Sequence, residues 1–200
     1  MRRKTEYTRQ KIVEAAYECF WRSGFARTNV DRIAAQAGVT KRTLYSYYRS
    51  KDDLLAAVLI RYSELATDRL QRISSRMPAD LDGMISSFFG QLAGWASSTP
   101  RWTGSGFTRL VVELADLPGH PARAIARRAK STSETWLENL LSAKRVPQPR
   151  DRAREMMLLM EGAMALTLIH SDRRYIEAAA RAARYLIKRG SRRTSIKLVA

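Results

Sequence analysis

The sequence predicts an all-α protein: a small N-terminal helical unit, residues 1–52, then a larger helical domain, residues 53–190. Apolar residues recur at three- and four-residue spacing almost throughout, and no segment alternates with the period of two that a half-buried strand requires. Gly, Pro and capping residues fall between the periodic stretches. A chain of 200 residues buries a real core without disulfide staples, and the single cysteine, Cys19, has no internal partner to bridge.

The first helix is expected from about Thr8 to Arg22, with Ile12, Ala15, Ala16, Cys19 and Phe20 on one face and Gly24 as its stop. A short second helix carries Val30, Ile33, Ala34 and Ala37 inward; Thr28 opens it, with Asp31 three residues on as a capping box, and Gly38 closes it. Thr40 caps a third helix, in which Leu44 and Tyr48 share one face. Ser50 caps the fourth, Asp53 completes a second box, and Leu54, Leu55, Val58, Leu59, Tyr62, Leu65, Leu70 and Ile73 carry it toward Pro78. Beyond, Pro100, Gly104, Pro118, Pro121, Pro147 and Pro149 punctuate further helices. These are expected from about Ala79 to Ser97, Gly106 to Asp116, Pro121 to Ala143, Arg150 to Ile169 and Arg173 to Lys188. Residues 191–200 read as a basic, disordered tail in which Arg192, Arg193 and Lys197 meet no acid.

The formal charge is +17, which predicts attraction to polyanions such as nucleic acid or an anionic membrane surface. Within the first 50 residues eleven Lys or Arg face four Asp or Glu. The longest apolar run, Met156 to Ile169, is interrupted by Glu161 and is too short to span a bilayer, so no membrane role is expected. A charged, amphipathic N-terminus in place of an apolar leader favours the cytoplasm.

The informative stretch runs from Thr28 to Lys51: two short helices joined by the tight Ala37-Gly38-Val39 turn and packed on a longer preceding helix, the pattern of a helix-turn-helix. The second of these helices keeps Leu44 and Tyr48 for the core and leaves Lys41, Arg42, Thr43, Tyr45, Ser46 and Tyr47 outside. Lys and Arg reach phosphates or guanine edges, Thr contacts a base or a methyl, and a Tyr hydroxyl donates to a phosphate. Lys51, at the start of the next helix, lies within reach of the same strand.

The segment TNVDRIAAQAGVTKRTLYSYYRSKDDLL resembles the DNA-binding signature of the TetR (tetracycline repressor) family. The resemblance covers roughly residues 8–60, including Gly24-Phe25, Ile33-Ala34, Ala37-Gly38-Val39, Leu44-Tyr45 and Ser50-Lys51. It implies a three-helix DNA-binding domain on a variable helical core that dimerises, takes up a small molecule and then releases the DNA. It also implies phosphate contacts at Thr28, Thr40 and Lys51, base-facing positions at Lys41, Arg42 and Thr43, and a backbone contact at Tyr45. Tyr47 stands where many members have His and Tyr48 where many have Phe; Arg42 stands where many have Gly, which bears on base preference. The stretch FTRLVVELADLP, Phe107 to Pro118, looks like a core helix of one subgroup of the family.

The second domain supplies large, adaptable apolar side chains, of which Phe88, Trp95, Trp102, Phe107, Trp136, Met160 and Met164 are candidates to line a pocket for a small hydrophobic or aromatic effector; a packed core uses the same residues. Glu161 interrupts the apolar face of its helix and needs a partner if buried: a cationic ligand or an internal Arg. Small residues in the last two helices (Gly162, Ala163, Ala165; Ala179, Ala180, Ala182, Ala183), with Leu166, Ile169, Ile176, Leu186 and Ile187, suggest a homodimeric four-helix bundle, or else closure of the monomer's own core. A two-fold dimer would place two recognition helices ~34–36 Å apart on double-stranded DNA and require an inverted-repeat operator.

Two other classes compete. An enzyme would draw on His120 near Asp116 or His170 near Ser171 and Asp172, but no metal spacing, phosphate loop or nucleophile elbow accompanies them, so no catalytic residue, metal or cofactor is expected and both read as solvated loop histidines. Cys19, on an apolar helix face, reads as an inert buried thiol. A charge-driven, sequence-blind nucleic-acid binder is the second rival, and the capped recognition-helix pattern argues for sequence readout instead.

Overall fold

The computed structural model describes residues 2–98 and 104–196, and among these residues the chain forms nine helices and no strand. They are α1 (Arg2–Ser23), α2 (Val30–Ala37), α3 (Lys41–Tyr47), α4 (Lys51–Ser74), α5 (Leu81–Ser98), α6 (Gly106–Val112), α7 (Pro121–Ala143), α8 (Pro149–His170) and α9 (Arg174–Ile196). The all-α class and the helix order agree with the sequence pattern. The ends differ where polar residues extend a helix without marking it by periodicity: α1 begins well before Thr8, and α9 continues past residue 190. No helix among the described residues is long and apolar enough to cross a membrane.

The chain divides into two compact units. The first comprises Met1–Thr67 and Gly106–Ala129, the second Asp68–Ser105 and Lys130–Ala200. The first unit thus includes α6 and the opening turns of α7, which the linear reading assigned to the second domain. Its core joins Ile12, Ala16 and Phe20 of α1 to Ile33, Leu44, Leu54, Leu55 and Leu59, and is completed from the distant segment by Leu110, Leu114 and Ala122.

The second unit packs α8 and α5 against α9. Ile176, Ala179, Ala180, Ala183 and Ile187 of α9 are buried with Met84, Ile85 and Phe89 of α5 and Ala153, Met156 and Ala163 of α8. The small residues of α9 thus let its own neighbours approach closely, the monomer-closing alternative. On α8 the pattern splits: Ala163 is buried, while Leu158 (73% exposed), Gly162, Ala165, Leu166 and Ile169 (70%) form an open stripe at helical spacing.

Candidate nucleic-acid interface

The helix-turn-helix is built by caps at each end. Asn29, in extended conformation, accepts a hydrogen bond from the Asp31 backbone N–H at 3.0 Å and so begins α2, one residue later than the Thr28 cap expected from sequence. At the other end Gly38 adopts φ 66°; its N–H reaches the Ala35 carbonyl at 3.1 Å and the Val39 N–H reaches Ala34 at 3.0 Å. This is a Schellman stop that a β-carbon would strain through φ alone, since open space surrounds the position. Thr40 then caps α3, its hydroxyl accepting from the Thr43 N–H at 3.0 Å. Ser50 caps α4, accepting from Asp53 N–H at 3.0 Å.

These caps fix which side chains face out. Arg42 and Tyr45 (42% exposed) stand on the open face of α3. Lys41 is exposed and meets Asp31 of α2 at 3.0 Å, a solvent-screened pair that contributes about 0–1 kcal/mol and is readily exchanged for a phosphate. Thr43 is half-buried, its hydroxyl 2.8 Å from that of Thr40. Tyr47, expected outside, packs against the core of the first unit, and Tyr48 is the buried C-terminal cap of α3. Arg27 and Arg49, exposed just before α2 and just after α3, add cations that the residue-by-residue reading passed over; their signal was simply position beside the two caps.

Two expected phosphate ligands point inward. Thr28 is only 3% exposed, and its hydroxyl donates to the Gly24 carbonyl at 2.6 Å with Cys19 carbonyl at 3.2 Å. The Lys51 ammonium donates to the carbonyls of Phe25 (3.0 Å), Thr28 (3.3 Å) and Ala26 (3.4 Å), and lies 4.4 Å from the Phe25 ring centroid. Both side chains tie down the α1–α2 connection, because loop carbonyls lacking helical partners attract the nearest donor.

Residues 12–58 match the family model described as bacterial regulatory proteins, tetR family. The HTH-type transcriptional repressor SCO4008 of Streptomyces coelicolor is 30% identical over 131 residues, covering 62% of this chain and 64% of that relative. The match thus spans somewhat under two thirds of the relative's length. The crystal structure of SCO4454, a TetR-family transcriptional regulator from the same organism, superposes with TM-score 0.81 at 23% identity, covering 93% of this chain and 97% of that one. A TetR regulator structure from Streptomyces avermitilis, described as putative in its own name, gives TM-score 0.71 at 26% identity over 88% of this chain and 97% of that one. Residues 12–58 carry a TetR-type DNA-binding domain.

Helix α6 ties down the end of α1 and the loop that follows it. Arg109 donates to the Trp21 carbonyl, and to that of Phe20 at 3.3 Å, satisfying the open carbonyl end of α1 with a cation. One turn on, Glu113 accepts the Ala26 N–H at 3.1 Å. Its carboxylate lies where a β-carbon on Gly24 would stand, 2.6 Å away, and Gly24 itself has φ 82°. His120 is not a solvated loop residue: its side chain is 6% exposed, its Nδ1 accepts the Ala122 N–H at 3.1 Å and its Nε2 faces Asp52 at 3.6 Å. It caps α7, a structural role. Cys19 is buried with its thiol donating to Gln36 at 3.2 Å, and burial pushes its pKa up, so the inert reading is consistent with its surroundings.

The effector candidates are dispersed. Phe88 and Trp136 pack together in the second unit, centroids 6.3 Å apart, with Phe89 edge-on to Phe88 and the Trp136 indole donating to Ser74 at 2.7 Å. Trp95 and Met160 are half-buried and Met164 is buried. Glu161 finds an internal partner in Lys130 of α7, where an Arg was expected. Phe107 belongs instead to the first unit, packed on its core, because α6 folds with that unit. Trp102 lies outside the described residues. Sequence reasoning missed Thr167, a buried α8 hydroxyl without a hydrogen-bond partner, since a threonine on an apolar helix face carries no periodic signal.

Proposed function

We propose that this chain is a TetR-family, sequence-specific, DNA-binding transcriptional regulator that acts in the cytoplasm as a repressor and lets go of its operator when a small effector binds. The observation that carries the proposal is the doubly capped turn: Gly38 and Thr40 set α3 at a defined angle with Arg42 and Tyr45 outward, flanked by Lys41 and by exposed Arg27 and Arg49. The named repressor SCO4008 supports the same reading by similarity.

The open stripe of α8, with the exposed Ala178, Arg181 and Tyr185 of α9, supports a homodimer built from these two helices, since an apolar strip of that length is costly to leave in water. Two copies would address an inverted repeat. The effector is a small hydrophobic or aromatic molecule met by the aromatic and methionine side chains of the second unit, with Thr167 offering an unpaired hydroxyl and the Lys130–Glu161 pair a charged contact. No metal or prosthetic group is required. Helix α4, which contributes to both units, is the element whose displacement would change the recognition helices; ligand and DNA must then favour different conformations of it.

Selection of bound sequences from a random double-stranded pool at near-physiological salt, with an R42A/Y45A variant in parallel, tests the proposal. An inverted repeat enriched by the parent and not by the variant is expected. The charge of +17 favours the rival, sequence-blind binding, and a folded protein that enriches nothing would favour that rival or a need for a ligand to bind DNA.

A further inference from the structure

The first unit carries a feature that neither DNA contact nor effector uptake in the second unit uses. A groove of about 450 Å³ runs between α1 and α4, with Val13, Ala57, Ile60 and the ring of Tyr48 as its apolar floor. That volume falls in the range of small-molecule sites. Around the rim stand Glu6, Glu14 and Glu64 against Arg9 and Arg61, an acidic excess on a chain whose net charge is +17.

The rim cations are partly committed. Arg61 faces Glu64 at 3.6 Å, and the Arg9 guanidinium lies 5.8 Å from the centroid of the Tyr48 ring. The groove therefore already holds one cation of the chain against an aromatic face, which is the arrangement an aromatic floor favours. Glu14, exposed on the rim, accepts a neutral hydrogen bond from Gln10 at 2.9 Å. An anion would meet three carboxylates and two guanidiniums already engaged with Glu64 and the Tyr48 ring, whereas an organic cation would meet carboxylates at the rim and carbon below.

We propose that the α1–α4 groove of the helix-turn-helix unit is a second ligand site, taking a small organic cation with an apolar or aromatic body. Its floor includes Tyr48, the C-terminal cap of α3, so an occupant touches the end of the recognition helix directly.

The test is titration of the full-length, 15N-labelled protein with benzyltrimethylammonium, followed by amide resonances. Saturable shifts confined to the groove, at Arg9, Val13, Glu14, Tyr48, Ala57 and Arg61, are expected. Benzylsulfonate, with a like body and the opposite charge, should produce none. Glu14 and Glu64 are exposed and Ile60 is 48% exposed, so substitution there leaves the core intact. Exposed ionic contacts are weak, and E14Q/E64Q should raise the dissociation constant about tenfold. I60K, which places a cation on the floor, should abolish the shifts. Absence of saturable shifts at millimolar cation, equal shifts with the sulfonate, or shifts that survive both variants would overturn the proposal.

Discussion

Replacing Thr28 by valine separates two roles for the same hydroxyl. In the structure it is buried and donates to Gly24 carbonyl at 2.6 Å, so valine keeps the shape and leaves that carbonyl without its partner. An unsatisfied buried acceptor costs about 1–3 kcal/mol, and burying a methyl in place of the hydroxyl returns about 0.8 kcal/mol. The net expectation is a loss of about 1–2 kcal/mol, which at a urea slope of about 1–3 kcal/mol/M lowers the unfolding midpoint by roughly 0.3–2 M. Both proteins are compared at one protomer concentration, since dimerisation couples stability to concentration. Well below the transition, DNA affinity should stay within about twofold of the parent, because no phosphate contact is lost. An unchanged midpoint together with DNA binding weakened about tenfold or more would refute the reasoning and return Thr28 to the phosphate backbone.

Arg109→Met removes the cation that closes the carbonyl end of α1 and should destabilise the protein by about 2 kcal/mol in the same urea assay, a charge-assisted hydrogen bond being worth about 1.5–3 kcal/mol. Cys19 should resist Ellman's reagent at mildly alkaline pH in the native protein and react promptly once urea unfolds it, because burial raises its pKa and hides its sulfur. Burial also raises the pKa values of Tyr48 and Tyr62, the latter stacked on Tyr17 with centroids 3.4 Å apart. The folded state holds these protons more tightly than the unfolded chain does. Their contribution is therefore complete below the ordinary tyrosine value of about 10 and is lost as pH rises above it, which urea midpoints measured across that range will show as a steady decline.

Much of the first unit was legible because its signals are local. Gly38 and Thr40 act as the sequence pattern requires, and Leu44 is fully buried as its spacing implies. The cap of α2 moved from Thr28 to Asn29 because both residue types cap helices and only the tertiary fold, which buries Thr28 over the end of α1, decides between them. Lys51 was read outward from its place at a helix start; its actual partners are 23 to 26 residues away in sequence, and no local pattern reports them. The same holds for Arg109 and Glu113, whose four-residue spacing shows a shared face, while their partners at the end of α1 and in the loop after it lie more than 80 residues back. Large apolar residues fill cores and line pockets alike, so Phe88, Trp136 and Phe107 could be sorted only by the units they pack in.

The most direct test of DNA readout by α3 is affinity for the selected duplex against a shuffled duplex of equal length, measured over a series of salt concentrations with the parent and R42A/Y45A. The account predicts a preference of about 10³-fold or more for the selected duplex near physiological salt, retained as total affinity falls with salt and largely erased in the variant. Equal affinity for the two duplexes at every salt concentration, with the variant binding both alike, would contradict it.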